Sequence, residues 1–436
     1  MADPNDLESF WMPFTDNRFF KREPRLLARA EGMYYYKPDG SAILDGTSGL
    51  WCSNAGHCRS KIVDAIRRSA GELDFAPSFN LGHPKAFEFA NRLAGLFPSS
   101  LNRVFFTNSG SEAVDSALKI SLAYHRAAGR GTRTRFIGRQ RAYHGTGFGG
   151  LSVGGIANNR RNFSQLPNID HLSATLNIAK CAFTRGQPSW GAHLANELDG
   201  IVAFHGSENI AAVIVEPLAG SAGVLIPPIG YLESLRKITS KHGILLIFDE
   251  VITAFGRLGF ASAAERFGVV PDIITLAKGI TNASVPMGAV VAKQEIYDVI
   301  LANADAGIEL FHGYTYSGHP LAAAAGLATL ELYEEEALFE RAGSLESYWE
   351  NAVHSLSAHS AVVDIRNLGL VAGIELAPRV GKPGSRAMEV FRRCFDDGLL
   401  TRVTGDIIAL SPPLIVTKQQ IHEIIDRLSL GLKQAA

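Results

Sequence analysis

Two polar side chains stand where apolar runs stop. Ile244-Leu245-Leu246-Ile247-Phe248 leads into Asp249-Glu250, and Ile273-Ile274-Thr275-Leu276-Ala277 leads into Lys278-Gly279. A carboxylate backed by low-dielectric core is costly unless a cation or a hydrogen-bond donor faces it. A lysine amine that is partly desolvated, or near other cations, gives up its proton readily and forms imines with aldehydes. Taken singly, Asp249 also reads as a strand-end residue capping a loop, and Lys278 as a solvated lysine. Together they end two successive strand-like runs around one crossover. Both can therefore face one crevice beyond the carboxyl ends of the strands, where ligands sit in open α/β sheets.

A third element, Thr107-Asn108-Ser109-Gly110-Ser111-Glu112, lies between a strand-like run and a helix-like one. Ser109 and Glu112 have the S-x-x-E spacing of a capping box, which fixes a helix start and presents free backbone N–H groups. Gly110 permits close approach, so the segment reads as a phosphate cradle, although many helix caps bind nothing.

The elements that must position these groups alternate along the chain. Strands are expected over 104–107, 134–138, 211–216, 244–249, 273–277 and 289–292, rich in Val, Ile, Leu or Phe. Helices are expected between them, notably over 112–128 and 231–242, as parallel crossovers require. Beyond Thr315 the pattern changes to a long alanine-rich helix over 319–341, alternating stretches over 362–376, and an amphipathic helix from Gln419. The reading is an α/β core followed by a C-terminal α+β domain. The first fifty or so residues, with Trp11, Phe14, Tyr34, Tyr35 and Trp51, resemble neither part and are expected to pack against the C-terminal domain or a partner subunit.

With 436 residues, the chain is long for one core and suits a large domain with a smaller one attached. A net charge of -1 gives no bulk attraction to nucleic acid. No run approaches a membrane helix, and the acidic start from Met1 to Asp16 lacks a signal-peptide core, so a cytoplasmic protein is expected. Cys52, Cys58, Cys181 and Cys394 form no CxxC pair and read as free thiols. The sequons at Asn162 and Asn282 carry no argument without an export signal.

Two further matches are decoys. Gly150-Leu151-Ser152-Val153-Gly154 fits the G-x-S-x-G elbow of serine hydrolases, but no helix pattern follows it. Gly145-Thr146-Gly147-Phe148-Gly149-Gly150 fits G-x-G-x-x-G without the helix and acidic residue of a dinucleotide site. Both read as a glycine-rich loop. There is no Walker A run and no H-E-x-x-H, and His57, His83, His144 and His312 stand singly, so no metal is expected.

The run Phe248-Asp249-Glu250-Val251, then Phe255-Gly256-Arg257, Pro271-Asp272 and Ala277-Lys278-Gly279, resembles the signature of class III aminotransferases, fold type I enzymes that use pyridoxal phosphate (PLP). The resemblance continues in Asn108 to Glu112, Tyr143-His144-Gly145, Glu216-Pro217, Thr315-Tyr316-Ser317 and Arg402, and so covers most of the chain. Within the class, the likeness is greatest to ω-amino acid:pyruvate (β-alanine:pyruvate) aminotransferases. It rests on Leu50-Trp51-Cys52, Phe311-His312-Gly313-Tyr314-Thr315, Val285-Pro286-Met287-Gly288-Ala289 and Arg402-Val403-Thr404-Gly405-Asp406. Ala254 departs from the family, which usually has glycine before Phe-Gly-Arg.

The resemblance implies a PLP-dependent transferase fold of type I. Its large domain, residues 60–315, would carry a mostly parallel seven-stranded sheet. The smaller α+β domain, residues 316–436, would be completed by the N-terminal segment 1–59, which would also make dimer contacts. Lys278 would carry PLP as a Schiff base, and Asp249 would hold the protonated ring nitrogen. Tyr143 and Val251 would pack the two ring faces, and Gly110 and Ser111 would hold the phosphate. Thr315 would join them from a neighbouring subunit of a homodimer or homotetramer. His144 and Glu216 are expected near the cofactor, the latter without a derived role. Arg402 would grip the substrate carboxylate through two parallel hydrogen bonds, where a surface salt bridge is the plainer alternative. Trp51 would wall the mouth of the pocket. The implied reaction takes an amino group from an ω-amino acid or related amine to pyruvate, giving alanine. The alternatives are a 2-oxoglutarate-dependent aminotransferase or aminomutase of the same class, or a PLP-binding protein without catalysis.

Overall fold

A computed structural model describes residues 6–304 and 307–435; residues 1–5 of the acidic start and residue 436 of the C-terminal part lie outside it. Its centre is a seven-stranded sheet. In spatial order the strands are Leu101–Thr107, Gly288–Lys293, Ile273–Leu276, Leu245–Asp249, Ile210–Val215, Arg135–Arg139 and Ile169–Leu172. Only Gly288–Lys293 runs antiparallel to its neighbours; the other paired strands are parallel.

The uniformly apolar runs are explained by burial on both faces. Leu245 and Ile247 belong to the apolar cluster of the helix Gly110–Ala127, with Ala113, Val114 and Ala117. Leu246 and Phe248 point the other way, into the cluster that holds Tyr231, Leu232 and Leu235 of the helix Tyr231–His242. Period-two alternation therefore aims Asp249, the next odd-numbered residue, toward the side where the helix of Gly110 begins. Phe248 is fully buried, so truncating it to Ala is expected to cost about 3–5 kcal/mol. That packing fixes where Asp249 emerges.

Two smaller sheets flank the large one. One joins Arg29–Glu31, Tyr34–Tyr36 and Ala42–Asp45 to Leu399–Leu400, with Leu399 and Leu400 parallel to Leu44 and Asp45. The other has the order Val362–Leu368, Val371–Leu376, Ile407–Leu410, Arg402–Thr404. The expected alternation over 362–376 is thus a hairpin. The C-terminal helix starts at Lys418, where Thr417 and Gln420 make a reciprocal capping box.

Several expectations change. The long helix over 319–341 is two helices, Pro320–Glu335 and Leu338–His354, broken at Ala337 with φ 46°. Pro320–Glu335 is buried on nearly all sides, which places it inside the core rather than on it. The supposed glycine-rich loop contains a short helix, Phe148–Val153, whose Gly150 N–H is satisfied by Asp115 Oδ1 at 2.8 Å. Ser152 is buried within that helix and donates to Phe148 O, so it is no nucleophile elbow. The strand Ile169–Leu172 was missing from the six expected runs; Asp170 and His171 break its apolar pattern.

Candidate active site

The carboxyl ends of the parallel strands gather the candidate residues. Asp249 ends its strand nearly buried, with Oδ2 facing His144 Nδ1 at 2.7 Å. Its Oδ1 accepts from Thr275 Oγ1 and from the Val251 N–H, both at 3.2 Å. Thr275 is the cross-strand partner of Asp249, a contact that sequence spacing did not reveal. His144 is equally buried, and its Nε2 has no partner among the described residues.

Lys278 follows the neighbouring strand and opens the turn Lys278–Thr281 with φ 54°. A left-handed backbone at a non-glycine residue persists only where its surroundings enforce it, and such strain collects at functional sites. Its Nζ makes no hydrogen bond or ion pair with any described residue. Burial pushes the amine down to about 8, with Arg402 acting the same way, while Cys52, Asp249 and Glu216 oppose the shift. Lys278 therefore lies among these four groups as a readily deprotonated amine.

Glu216 follows the strand Ile210–Val215. It accepts the Tyr143 N–H through Oε1 at 2.8 Å, and burial raises its carboxyl to about 7, with Asp249 adding to the rise and His144 opposing it. The role that sequence could not give it is to anchor the backbone of Tyr143. Tyr143 itself is pushed up by burial and by Asp249 and Glu216, while Arg402 pulls it down. Arg402 opens the strand Arg402–Thr404 in the last sheet, part-buried and held below its usual range by that burial. Among the described residues it makes no salt bridge, so the plainer alternative of a surface ion pair is not what the structure contains.

At the cradle, Ser109 Oγ caps the helix by accepting the Glu112 N–H at 3.2 Å. The expected box is modified, because Glu112 Oε2 reaches back to the Asn108 N–H, one residue before the cap. The Gly110 and Ser111 N–H groups have no acceptor among the described residues. A Cβ on Gly110 would stand 3.1 Å from Val251 Cγ2, so Val251 lies against the start of this helix. Ser111 Oγ accepts the Thr146 N–H at 3.0 Å, which brings a hydroxyl that sequence reasoning passed over to the cradle's edge.

The two remaining candidates lie differently. Trp51 is only 2% exposed and belongs to an apolar cluster with Leu218, Ile252 and Ala409, the last being the cross-strand partner of Arg402. Thr315 is exposed, and no described residue hydrogen-bonds its side chain. Ala254 is buried in the main core. Among the described residues no group of three or more His, Cys, Asp or Glu could hold a metal ion, and no helix is long and apolar enough to cross a membrane.

The sequence and the fold have known counterparts. The chain is 64% identical over 431 residues to an omega-aminotransferase of Caulobacter vibrioides, covering 99% of this chain and 98% of the relative. It is 46% identical over 434 residues to a beta-alanine--pyruvate aminotransferase of Pseudomonas aeruginosa, covering 99% and 97%. Among solved structures, an amine transaminase of an uncultivated Pseudomonas species in its PLP-bound form superposes with a TM-score of 0.92 at 35% identity, covering 98% and 99% of the two chains. The family model for aminotransferase class-III matches residues 20–432. A match of that length, with relatives aligned over nearly their whole sequences, makes this chain a member of the class III aminotransferase family.

Proposed function

We propose that this aminotransferase holds PLP at Lys278 and moves amino groups from ω-amino acids such as β-alanine to pyruvate. The observation that carries the reading is a pair of neighbouring cations, the part-buried amine of Lys278 and the guanidinium of Arg402, close enough for one to shift the other and neither with an ion pair among the described residues. An amine held near 8 suits an aldehyde, and a guanidinium without an ion pair among the described residues suits a carboxylate. The names of the relatives point to the same substrates.

The remaining residues fit the cofactor. Asp249 would hold the ring nitrogen's proton, with Thr275 and His144 fixing its carboxylate. Gly110 and Ser111 would offer their free N–H groups to the phosphate. Tyr143, held through Glu216, would cover one ring face and Val251 the other. When bound, PLP supplies the electron sink that lets a hydrogen leave the amine-bearing carbon as a proton. Once the donor amine has taken its place on the cofactor, the freed Lys278 Nζ would take that proton from the amine-bearing carbon and deliver it to the cofactor's C4′, acting first as base and then as acid. Arg402 fixes the far carboxylate of the donor, and then that of pyruvate. Trp51 bounds the space beside the reacting carbon from inside the pocket.

A homo-oligomer, a dimer at least, belongs to this reading. Thr315 lies beside an exposed apolar surface of Phe75, Phe79 and Tyr316, which are 38%, 61% and 56% exposed. A patch of that kind marks a contact surface, and it would carry Thr315 to the neighbour's phosphate. We also place the protein in the cytoplasm, where its four unpaired cysteines suit a reducing medium. Purified protein given β-alanine and pyruvate is expected to form alanine, with slower turnover when 2-oxoglutarate replaces pyruvate. No turnover across a panel of amines and both acceptors would overturn the reading.

A further inference from the structure

We propose that Asp45, Ser48 and Arg257 form a positioning clamp that holds Trp51 in a left-handed backbone conformation and thereby sets the size of donor the pocket accepts. The proposal rests on the reading of Trp51 as a pocket wall. The segment that carries Trp51 is contorted: φ is 48° at Ser48, 65° at Gly49 and 63° at Trp51. Gly49 also has ψ -96°, outside the region open to L side chains, and a Cβ there would meet Tyr35 Oη at 2.9 Å. A tryptophan at positive φ is a rare arrangement that holds only where neighbouring contacts over-determine it.

Those contacts are present on both sides of the segment. Asp45 is fully buried, and its Oδ1 accepts the Thr47 N–H at 2.9 Å while Oδ2 accepts the Gly49 N–H at 2.7 Å. His57 Nε2 lies 2.7 Å from the same Oδ2 and fixes the carboxylate from behind. Ser48 Oγ donates to Ser411 O at 2.8 Å and accepts from Arg257 Nη2 at 3.0 Å. Arg257, fully buried with no carboxylate partner among the described residues, donates to Pro412 O at 2.7 Å and to Asn54 Oδ1 at 2.6 Å. The indole Nε1 of Trp51 has no hydrogen-bond partner among the described residues. No hydrogen bond of its own orients the ring, so its direction follows from the backbone that the clamp holds and from apolar packing.

The test reads the ring directly and through substrate choice. The chain has four tryptophans, so 5-fluorotryptophan labelling gives four fluorine resonances, and loss of one in Trp51→Phe assigns it. Asp45→Asn is expected to move or broaden the Trp51 resonance and leave the other three in place. The ratio of kcat/KM for 1-phenylethylamine to that for β-alanine is expected to rise by about fivefold or more. Trp51→Ala is expected to raise the same ratio, with no further change when Asp45→Asn is added. Ser48→Ala, a smaller cut, is expected to give the same pattern more weakly and replaces Asp45→Asn should that variant not fold. An unmoved Trp51 resonance overturns the clamp, as does an equal fall in kcat/KM for both donors. A moved resonance with an unchanged ratio in Trp51→Ala overturns the size limit together with the wall reading, and isolates the fault there.

Discussion

Replacing Arg402 with Gln removes the cation expected to hold the donor's carboxylate and leaves a shorter, neutral side chain. The guanidinium is part-buried, free of internal ion pairs among the described residues, and held below its usual range by burial. A donor carboxylate would relieve that burial through two charge-assisted hydrogen bonds, each worth about 1.5–3 kcal/mol in proteins. Taking about 3 kcal/mol for the pair, because part of the gain offsets desolvation of the carboxylate, gives a loss of roughly 10²-fold in kcat/KM. The single-turnover amine half-reaction, followed by the cofactor's visible absorbance, measures this for β-alanine without interference from the acceptor. Propylamine, which has no carboxylate, is expected to change by less than about threefold. The pyruvate half-reaction should fall as β-alanine does. Equal losses for β-alanine and propylamine would refute the assignment and make Arg402 a general support of the pocket.

Other expectations follow from the same site. Lys278→Ala should lose transamination by at least about 10³-fold, and borohydride should fix cofactor mass on the parent protein but not on the variant, read by mass spectrometry. The folded amine of Lys278 lies near 8, below its ordinary 10.5, so the neutral form is favoured by the fold. Its burial penalty is then full below about 8 and fades as pH rises toward 10.5; in thermal melts, cofactor-free Lys278→Met should be more stable than the parent at pH 7, by on the order of 3 kcal/mol, with the gap closing by pH 10. Glu216→Gln keeps an acceptor for the Tyr143 N–H and should hold kcat within about threefold, whereas Glu216→Ala should cost about tenfold or more in steady-state assays. Thr315→Asp should weaken PLP binding by about tenfold in equilibrium titration, and mixing it with Lys278→Ala chains should restore tight sites if Thr315 crosses between subunits.

Much of the site was legible because its residues mark the ends of strands, where an apolar run stops on a charge. Asp249 and Lys278 announced themselves that way, and Ser109 and Gly110 did so through helix-cap spacing. What escaped was set by contacts between distant parts of the chain. Thr275 looks like one more strand residue until pairing puts it beside Asp249. Glu216 acquired a role only when the Tyr143 backbone came within reach of its carboxylate. Arg257 was visible as part of a family signature, but nothing near it in sequence hints at Ser48 or Pro412. The same holds for backbone shape. No glycine or proline warned of the break at Ala337, and the glycines over 145–150 concealed a helix that Asp115 anchors.

The two-residue strand Leu399–Leu400 lies against Leu44 and Asp45, partners separated by nearly the whole chain. During synthesis, the N-terminal strands emerge long before the residues that complete their sheet. At about 5–20 residues per second, the delay is tens of seconds. Until then the segment bearing Asp45 and Trp51 lacks its edge strand and its anchors at Ser411 and Pro412. A nascent chain stalled before residue 399 is therefore expected to hold the large sheet with Lys278 and Asp249 in place but no finished donor pocket, so that substrate recognition is the last property the ribosome delivers.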